Sequence, residues 1–183
     1  MKTNCGSTTT GPLEVTELLG DVHDARLEGR EIVYVEVEWG DARKHRQVLI
    51  AEDGTEMQVR LARGSYLADG LVVADDGQRV IAVRRPAQAA VRVDFAANAG
   101  PDGARRLLLL GYLLGNQHAP LDVTASRLAT PLMTSAAAAN EVLASLHIEG
   151  EVTDVVLAAH GWTNTSSDHH GAHSHGHSDH SHG

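Results

Sequence analysis

The sequence predicts an α+β fold: a small all-β domain over residues 12–88, a ferredoxin-like βαββαβ domain over residues 89–160, and a disordered histidine-rich tail over residues 161–183. Three observations lead there. Up to about residue 88, apolar and polar residues alternate in short runs separated by Asp-Gly dipeptides, as in half-buried strands joined by tight turns. Beyond it the apolar spacing reads strand, helix, strand, strand, helix, strand, which is the split-βαβ order. From Trp162 onward Ser, Thr, Asp, Gly and His dominate, and they bury too little apolar surface to offset the entropy of ordering the chain.

In the first half, Ile32 to Trp39 alternates, with Val33, Val35, Val37 and Trp39 on one face and Tyr34, Glu36 and Glu38 on the other. Val48-Leu49-Ile50 is a short apolar run, and Asp53-Gly54 is a turn. Thr55 to Leu61 points Met57, Val59 and Leu61 inward and Glu56, Gln58 and Arg60 outward. Asp69-Gly70 and Asp76-Gly77 punctuate strands at Leu71–Ala74 and Arg79–Val83. Four or five short strands make a small sandwich or barrel. The carboxylates Asp53, Asp69, Asp75 and Asp76 fall at turns, where Asp is favoured for backbone reasons, and they read as turn formers.

At Arg85-Pro86-Ala87-Gln88 the alternation stops, so a linker is expected, with the boundary near residue 88. Val91 to Phe95 is a strand. Pro101-Asp102-Gly103 opens a helix running to about Leu114, with Asp102 suited to the positive end of the dipole. Its leucines, at 107, 108, 109, 110, 113 and 114, together with Tyr112, exceed the single apolar stripe of a surface helix, so the surplus calls for a second partner such as another copy of the chain. Gly115-Asn116 ends the helix, a pair tolerant of the left-handed conformation. A strand over His118–Thr124, a short antiparallel partner at Arg127–Thr130, a helix over Thr134–Leu146 with Pro131 at its start, and a strand over Glu151–Ala159 complete the order.

Composition narrows the function. Apolar content is 42% but aromatics are only 3%, so the core is aliphatic. The formal net charge of −9, with no cluster of Lys and Arg, argues against nucleic acid. A single cysteine, Cys5, excludes an intramolecular disulfide. No apolar stretch follows the N-terminal lysine as in a secretory signal, and no run is long enough to span a membrane, so a cytoplasmic protein is expected.

The chemistry lies in the histidines. His169, His170, His173, His175, His177, His180 and His182 crowd the last fifteen residues, interleaved with Ser, Gly and Asp rather than set as a plain run. Imidazole is mostly neutral at pH 7 and suits zinc, copper, nickel and iron, and these spacings let neighbours chelate one ion without a fixed fold. The tail therefore points to metal handling without naming the metal. His118 stands alone at a helix–strand junction. It is either a hydrogen-bonded structural residue or, if the apolar helix before it forms a two-fold interface, half of a shared and incomplete ligand set. His23, His45, His147 and His160 are scattered and read as surface or structural.

Tyr112-Leu113-Leu114-Gly115-Asn116-Gln117-His118-Ala119-Pro120-Leu121 resembles the Tyr-His-Leu-Gly-Asn-Arg-His-Val-Pro-Leu signature of the urease accessory protein UreE family of nickel metallochaperones. Arg46-Gln47-Val48-Leu49, Asp53-Gly54, Leu61-Ala62-Arg63-Gly64, Leu67-Ala68-Asp69-Gly70 and the Val80–Val83 strand are similar to that family's β-domain pattern. The likeness spans roughly residues 15–160, and a His-rich tail is common in the family. It implies a peptide-binding-like β domain followed by the ferredoxin-like metal-binding domain. It implies a homodimer in which His118 of each subunit shares one Ni(II), with the tail as an accessory site. It also implies delivery of nickel to the urease apoprotein through other accessory proteins, chiefly a GTPase. The departures are Leu113 in place of the signature's first histidine and Gln117 in place of its arginine. In addition, Leu132-Met133-Thr134 stands where some members carry a His-Asp-His cluster, so extra capacity falls to the tail.

The leading expectation is a nickel metallochaperone of urease assembly, not an enzyme. Its Ni(II) would be held by imidazole and water, and binding should weaken below about pH 6 as protons compete. The alternative is a tail-based store or buffer for Ni, Zn or Cu with His118 structural, and Zn(II) and Cu(II) are competitors in either case. An enzyme using a histidine-bound metal is the third reading, disfavoured because no Glu or Asp sits as a general base beside a ligand cluster.

Overall fold

The computed structural model describes residues 11–163. Cys5 and the tail with His169, His170, His173, His175, His177, His180 and His182 lie outside the described residues.

The first half packs two sheets face to face. β1 (Leu13–Val15) pairs parallel with β5 (Glu56–Arg60), which pairs antiparallel with β4 (Arg46–Ile50). The second sheet runs β2 (Gly20–Asp21), β6 (Leu71–Asp75), β7 (Arg79–Arg84), β3 (Glu31–Glu36), with β3 parallel to β7. Periodicity misses β1 and β2 because two or three residues cannot display an alternation. The shared core takes Val33, Val35, Met57, Val59, Ile81 and Val83. β6 carries a bulge, where the register shifts between Val72 and Ala74, and its consecutive valines face opposite sides of the sheet. Val73 joins the main core, while Val72 packs with Leu27 and Val80 on the other side. The Val48-Leu49-Ile50 run buries only Leu49. Val48 and Ile50 are 59% and 66% exposed on the outer face of an edge strand.

Three of the four aspartates act locally, as turn residues do. Asp53 accepts from the Thr55 N–H at 2.9 Å, Asp75 from Gly77 at 2.8 Å, and Asp76 from Gln78 and Arg79 at 3.0 and 2.8 Å. Asp69 instead accepts from the backbone of Arg85, sixteen residues on, at 2.7 Å.

No loop separates the halves. β8 (Ala87–Asp94) starts just after β7, with only Arg85 and Pro86 between them, so the strand expected at Val91–Phe95 is longer and the linker shorter than the sequence suggests. Arg85 is buried, and its guanidinium donates to Tyr66 Oη and to the carbonyls of Leu67 and Leu157.

The third sheet runs β11 (Glu151–Val156), β8, β10 (Arg127–Pro131), β9 (Asp122–Val123), every pair antiparallel. Helices α1 (Pro101–Asn116) and α2 (Ala136–Ser145) cover one face, burying Leu110, Leu114, Ala139 and Leu143 on Val91, Val93 and Leu128. The chain order is thus βαββαβ, with the first strand at the centre of the sheet. Gly103 leaves no room for a side chain. A Cβ there would lie 1.8 Å from the Asn98 carbonyl oxygen, and buried Asn98 itself bridges the Asp94 and Glu149 backbones.

Two boundaries differ from expectation. The strand expected at His118–Thr124 shrinks to Asp122–Val123, because a helix-terminating turn and Pro120 occupy its first half. Pro131 closes β10 rather than opening a helix. α2 starts five residues later, behind Ser135, whose hydroxyl accepts from the Ala138 N–H at 3.2 Å as an N-cap.

Candidate metal centre

α1 ends on His118. The Ala119 N–H donates to Leu114 O at 3.0 Å and the His118 N–H to Gly115 O at 3.0 Å, the paired bonds of a Schellman motif. The residue that must turn left-handed in this motif is His118, with φ 53°, and not Gly115 or Asn116, which stay helical. Gly or Asn is the usual occupant, since a Cβ is strained there. α2 repeats the device: His147 has φ 51°, its N–H donates to Ala144 O at 3.0 Å, and Ile148 donates to Leu143 O at 2.9 Å. In both turns the residue after the histidine, Ala119 or Ile148, is buried, which anchors the turn in the core.

The His118 side chain is exposed and has no hydrogen-bond partner among the described residues. The backbone that follows it is held firmly. Ala119 is 4% exposed, Pro120 O accepts from buried Thr130 Oγ1 at 2.8 Å, and Leu121 O accepts from the Thr163 N–H at 2.9 Å. A fixed root and a free imidazole suit a ligand better than a packing residue.

The surplus apolar residues of α1 converge on this turn. Leu108, Leu109 and Tyr112 are 74%, 43% and 70% exposed, opposite the buried Leu110 and Leu114. Residues three and four apart share a helix face, so Leu108, Tyr112 and Asn116 form one stripe that ends where His118 begins. A groove of about 430 Å³ lies beside it between the helices, lined by Leu113, Gln117, Leu132, Met133 and Val142 among others.

Among the described residues, no three His, Cys, Asp or Glu side chains come together as a metal site. His118 therefore belongs to no such cluster among the described residues. His23, His147 and His160 are exposed and His45 half-buried, and none of them belongs to such a cluster among the described residues. Sequence reasoning missed the segment after β11. Thr163 Oγ1 accepts from the Val123 N–H at 2.9 Å, so the last described residue is bonded beside the His118 loop. The one sequence signal was that the chain has two tryptophans, Trp39 and Trp162, whose rings meet edge to face at 5.9 Å.

Comparison with known proteins places these features. The family model for the N-terminal domain of the UreE urease accessory protein matches residues 15–85, and that for its C-terminal domain matches residues 88–183. A urease accessory protein UreE of Acetivibrio thermocellus is 28% identical over 117 residues, covering 64% of this chain and 72% of its own. A urease accessory protein UreE 1 of Pseudomonas syringae pv. tomato is 28% identical over 148 residues, covering 76% of this chain and 97% of its own.

Proposed function

Because this chain belongs to the UreE family of urease accessory proteins, we propose that it carries Ni(II) for urease maturation on a site shared by two copies of His118. The family is one of accessory proteins associated with nickel handling, not of enzymes. The observation that carries the shared site is the exposed, unbonded imidazole of His118 at the end of the α1 apolar stripe. Pairing that stripe about a two-fold axis covers Leu108 and Tyr112 and brings two imidazoles together. Two nitrogen ligands leave the remaining positions to water, an open shell from which nickel can depart. In this reading the all-β domain ends at residue 88, and the ferredoxin-like domain over residues 89–160 presents the metal.

The tail supplies further ligands. Thr163 is docked on Leu121, three residues from His118, and His169 follows six residues after Thr163. His169, His170, His173, His175, His177, His180 and His182 then act as accessory donors that load or extend the shell. The partners in this reading are a second copy of the chain, the urease apoprotein and the other accessory proteins including a GTPase, all in the cytoplasm. Zn(II) and Cu(II) compete for the same imidazoles.

A nickel titration by calorimetry, with mass measured in solution, on a chain ending at Thr165 tests the site. One nickel per dimer, abolished by His118→Ala, is the expected result. Binding that disappears with the tail alone would make the protein a tail-based metal buffer.

A further inference from the structure

Residues 157–163 touch both halves of the fold at once. Leu157 O accepts from Arg85 Nη2 at 3.2 Å, Ala158 O from Tyr66 Oη, and Ala159 O from the Asp69 N–H at 2.8 Å, all three donors lying in or just after the first two sheets. On the other side, the Ala158 N–H donates to Asp122 Oδ2 at 3.0 Å, at the start of β9, and the Thr163 N–H to Leu121 O, in the loop between His118 and that strand. Ala158 thus bonds Tyr66 through its carbonyl and Asp122 through its N–H. It does so at φ 47°, a conformation strained for alanine and held by bonds on both sides. Trp162 completes the span by packing edge-on against Trp39, whose backbone N–H donates to Gln88 Oε1 at 2.9 Å. Below the two rings lie Ala90 and Ala129, both fully buried, on the face of the third sheet opposite the helices.

We propose that this segment is a strap through which the first two sheets set the position of the His118 loop, making Tyr66 and Trp39 positioning residues for metal binding. The inference rests on His118 being a metal ligand. Neither side chain need approach the metal. Tyr66 holds Ala158, Ala158 holds Asp122, and Asp122 opens β9 four residues after His118, at the end of a loop already pinned at Ala119 and Pro120. Trp39 holds Trp162 and so the root of Thr163 on Leu121 and Val123. Metal sites are sensitive to such supporting contacts, since a displaced ligand root costs affinity without removing the ligand.

The test is a nickel titration of the full chain by calorimetry for Tyr66→Phe, Trp39→Ala, Trp39→Phe and Thr163→Val. His118→Ala and the core variant Ile81→Val are run beside them. Tyr66→Phe, Trp39→Ala and Thr163→Val should each weaken the tightest nickel event by about tenfold. Trp39→Phe should recover most of that loss, and Ile81→Val should leave affinity unchanged while lowering the melting temperature. Thr163 is exposed, so its variant carries the test should Trp39→Ala fail to fold. Wild-type affinity in the strap variants alongside loss in His118→Ala would overturn the strap and leave the site standing. Equal weakening by Ile81→Val would reduce the effect to general stability and also overturn it. Undiminished binding in His118→Ala would overturn the site reading and the strap with it.

Discussion

His118→Gly and His118→Ala separate a ligand from a structural residue, because the backbone makes opposite demands in the two cases. At φ 53° a side chain bearing a Cβ is strained by about 1–2 kcal/mol. Glycine removes that strain and returns about 0.5–1 kcal/mol through the larger entropy of its unfolded chain. The net expectation for His118→Gly in the metal-free protein is a gain of about 0.5–1 kcal/mol, which for a chain of this length raises the melting temperature by about 1–4 °C. His118→Ala keeps the Cβ and should be close to neutral, because no hydrogen bond of the imidazole is lost. His147 provides the internal control. It occupies the same Schellman position at φ 51°, so His147→Gly should give the same gain. Calorimetric unfolding of the three variants without metal, followed by nickel titration, reads both quantities. Nickel affinity should fall in the two His118 variants and stay at the wild-type value in His147→Gly. A His118→Gly protein less stable than wild type would show that the imidazole supports the fold and would refute the reasoning.

Four further outcomes follow from the packing and the charges. Gly103→Ala drives a methyl group to 1.8 Å from the Asn98 carbonyl oxygen and should destabilise by about 3 kcal/mol in urea unfolding. Gly111→Ala, in the same helix with open space around it, should stabilise by about 1 kcal/mol. The Asp76 carboxyl sits at about 2, below its usual range, because the Arg79 and Gln78 N–H groups and then the Arg79 guanidinium stabilise its anion. A lowered carboxyl stabilises the fold above its ordinary range and loses that contribution as pH falls toward about 2. Asp76→Ala should therefore be less stable at neutral pH and show a flatter acid-unfolding profile between about pH 4 and pH 2, measured by circular dichroism. Leu108→Glu places a charge in the exposed α1 stripe. Light scattering should then report a folded chain near 19.5 kDa in place of a dimer, and an unchanged dimer would put the two-fold contact elsewhere.

Where a signal is periodic and local, the sequence was a sufficient guide. Met57, Val59 and Leu61 are buried as their alternation requires, and the βαββαβ order follows from the shift in apolar spacing beyond residue 88. The surplus of leucines in α1 was legible as a second surface, and Leu108 and Leu109 are its exposed members. What escaped is decided by contacts far apart in the chain. Nothing local to Arg85 announces a buried guanidinium bonded to Leu157, and nothing local to Ala158 announces its left-handed turn between Tyr66 and Asp122. The helix end was misplaced for a related reason. Gly115 and Asn116 tolerate a left-handed conformation, but the turn forms where the next residue can be buried, and Ala119 is that residue. The burial of Ala119, not the propensity of Gly115, puts the strain on His118.

That displacement bears on how a carrier could both hold and surrender a metal. A glycine at position 118 would satisfy the turn at lower energy, so in the proposed site histidine trades stability for a donor atom. The strain is confined to the backbone, and the core and Thr130 fix the root on the C-terminal side. Little backbone freedom is then left to lose when metal binds, which favours affinity. The imidazole itself is exposed and shares its shell with water in the proposed dimer, which favours departure. A buried histidine with a carboxylate partner would bind more tightly and release more slowly, and among the described residues no acidic side chain accompanies His118 in a metal cluster. On this reasoning the weak point of the site is its function. In the proposed site, rigid presentation comes from the turn and the proposed strap, and exchange comes from the positions that two imidazoles leave to water.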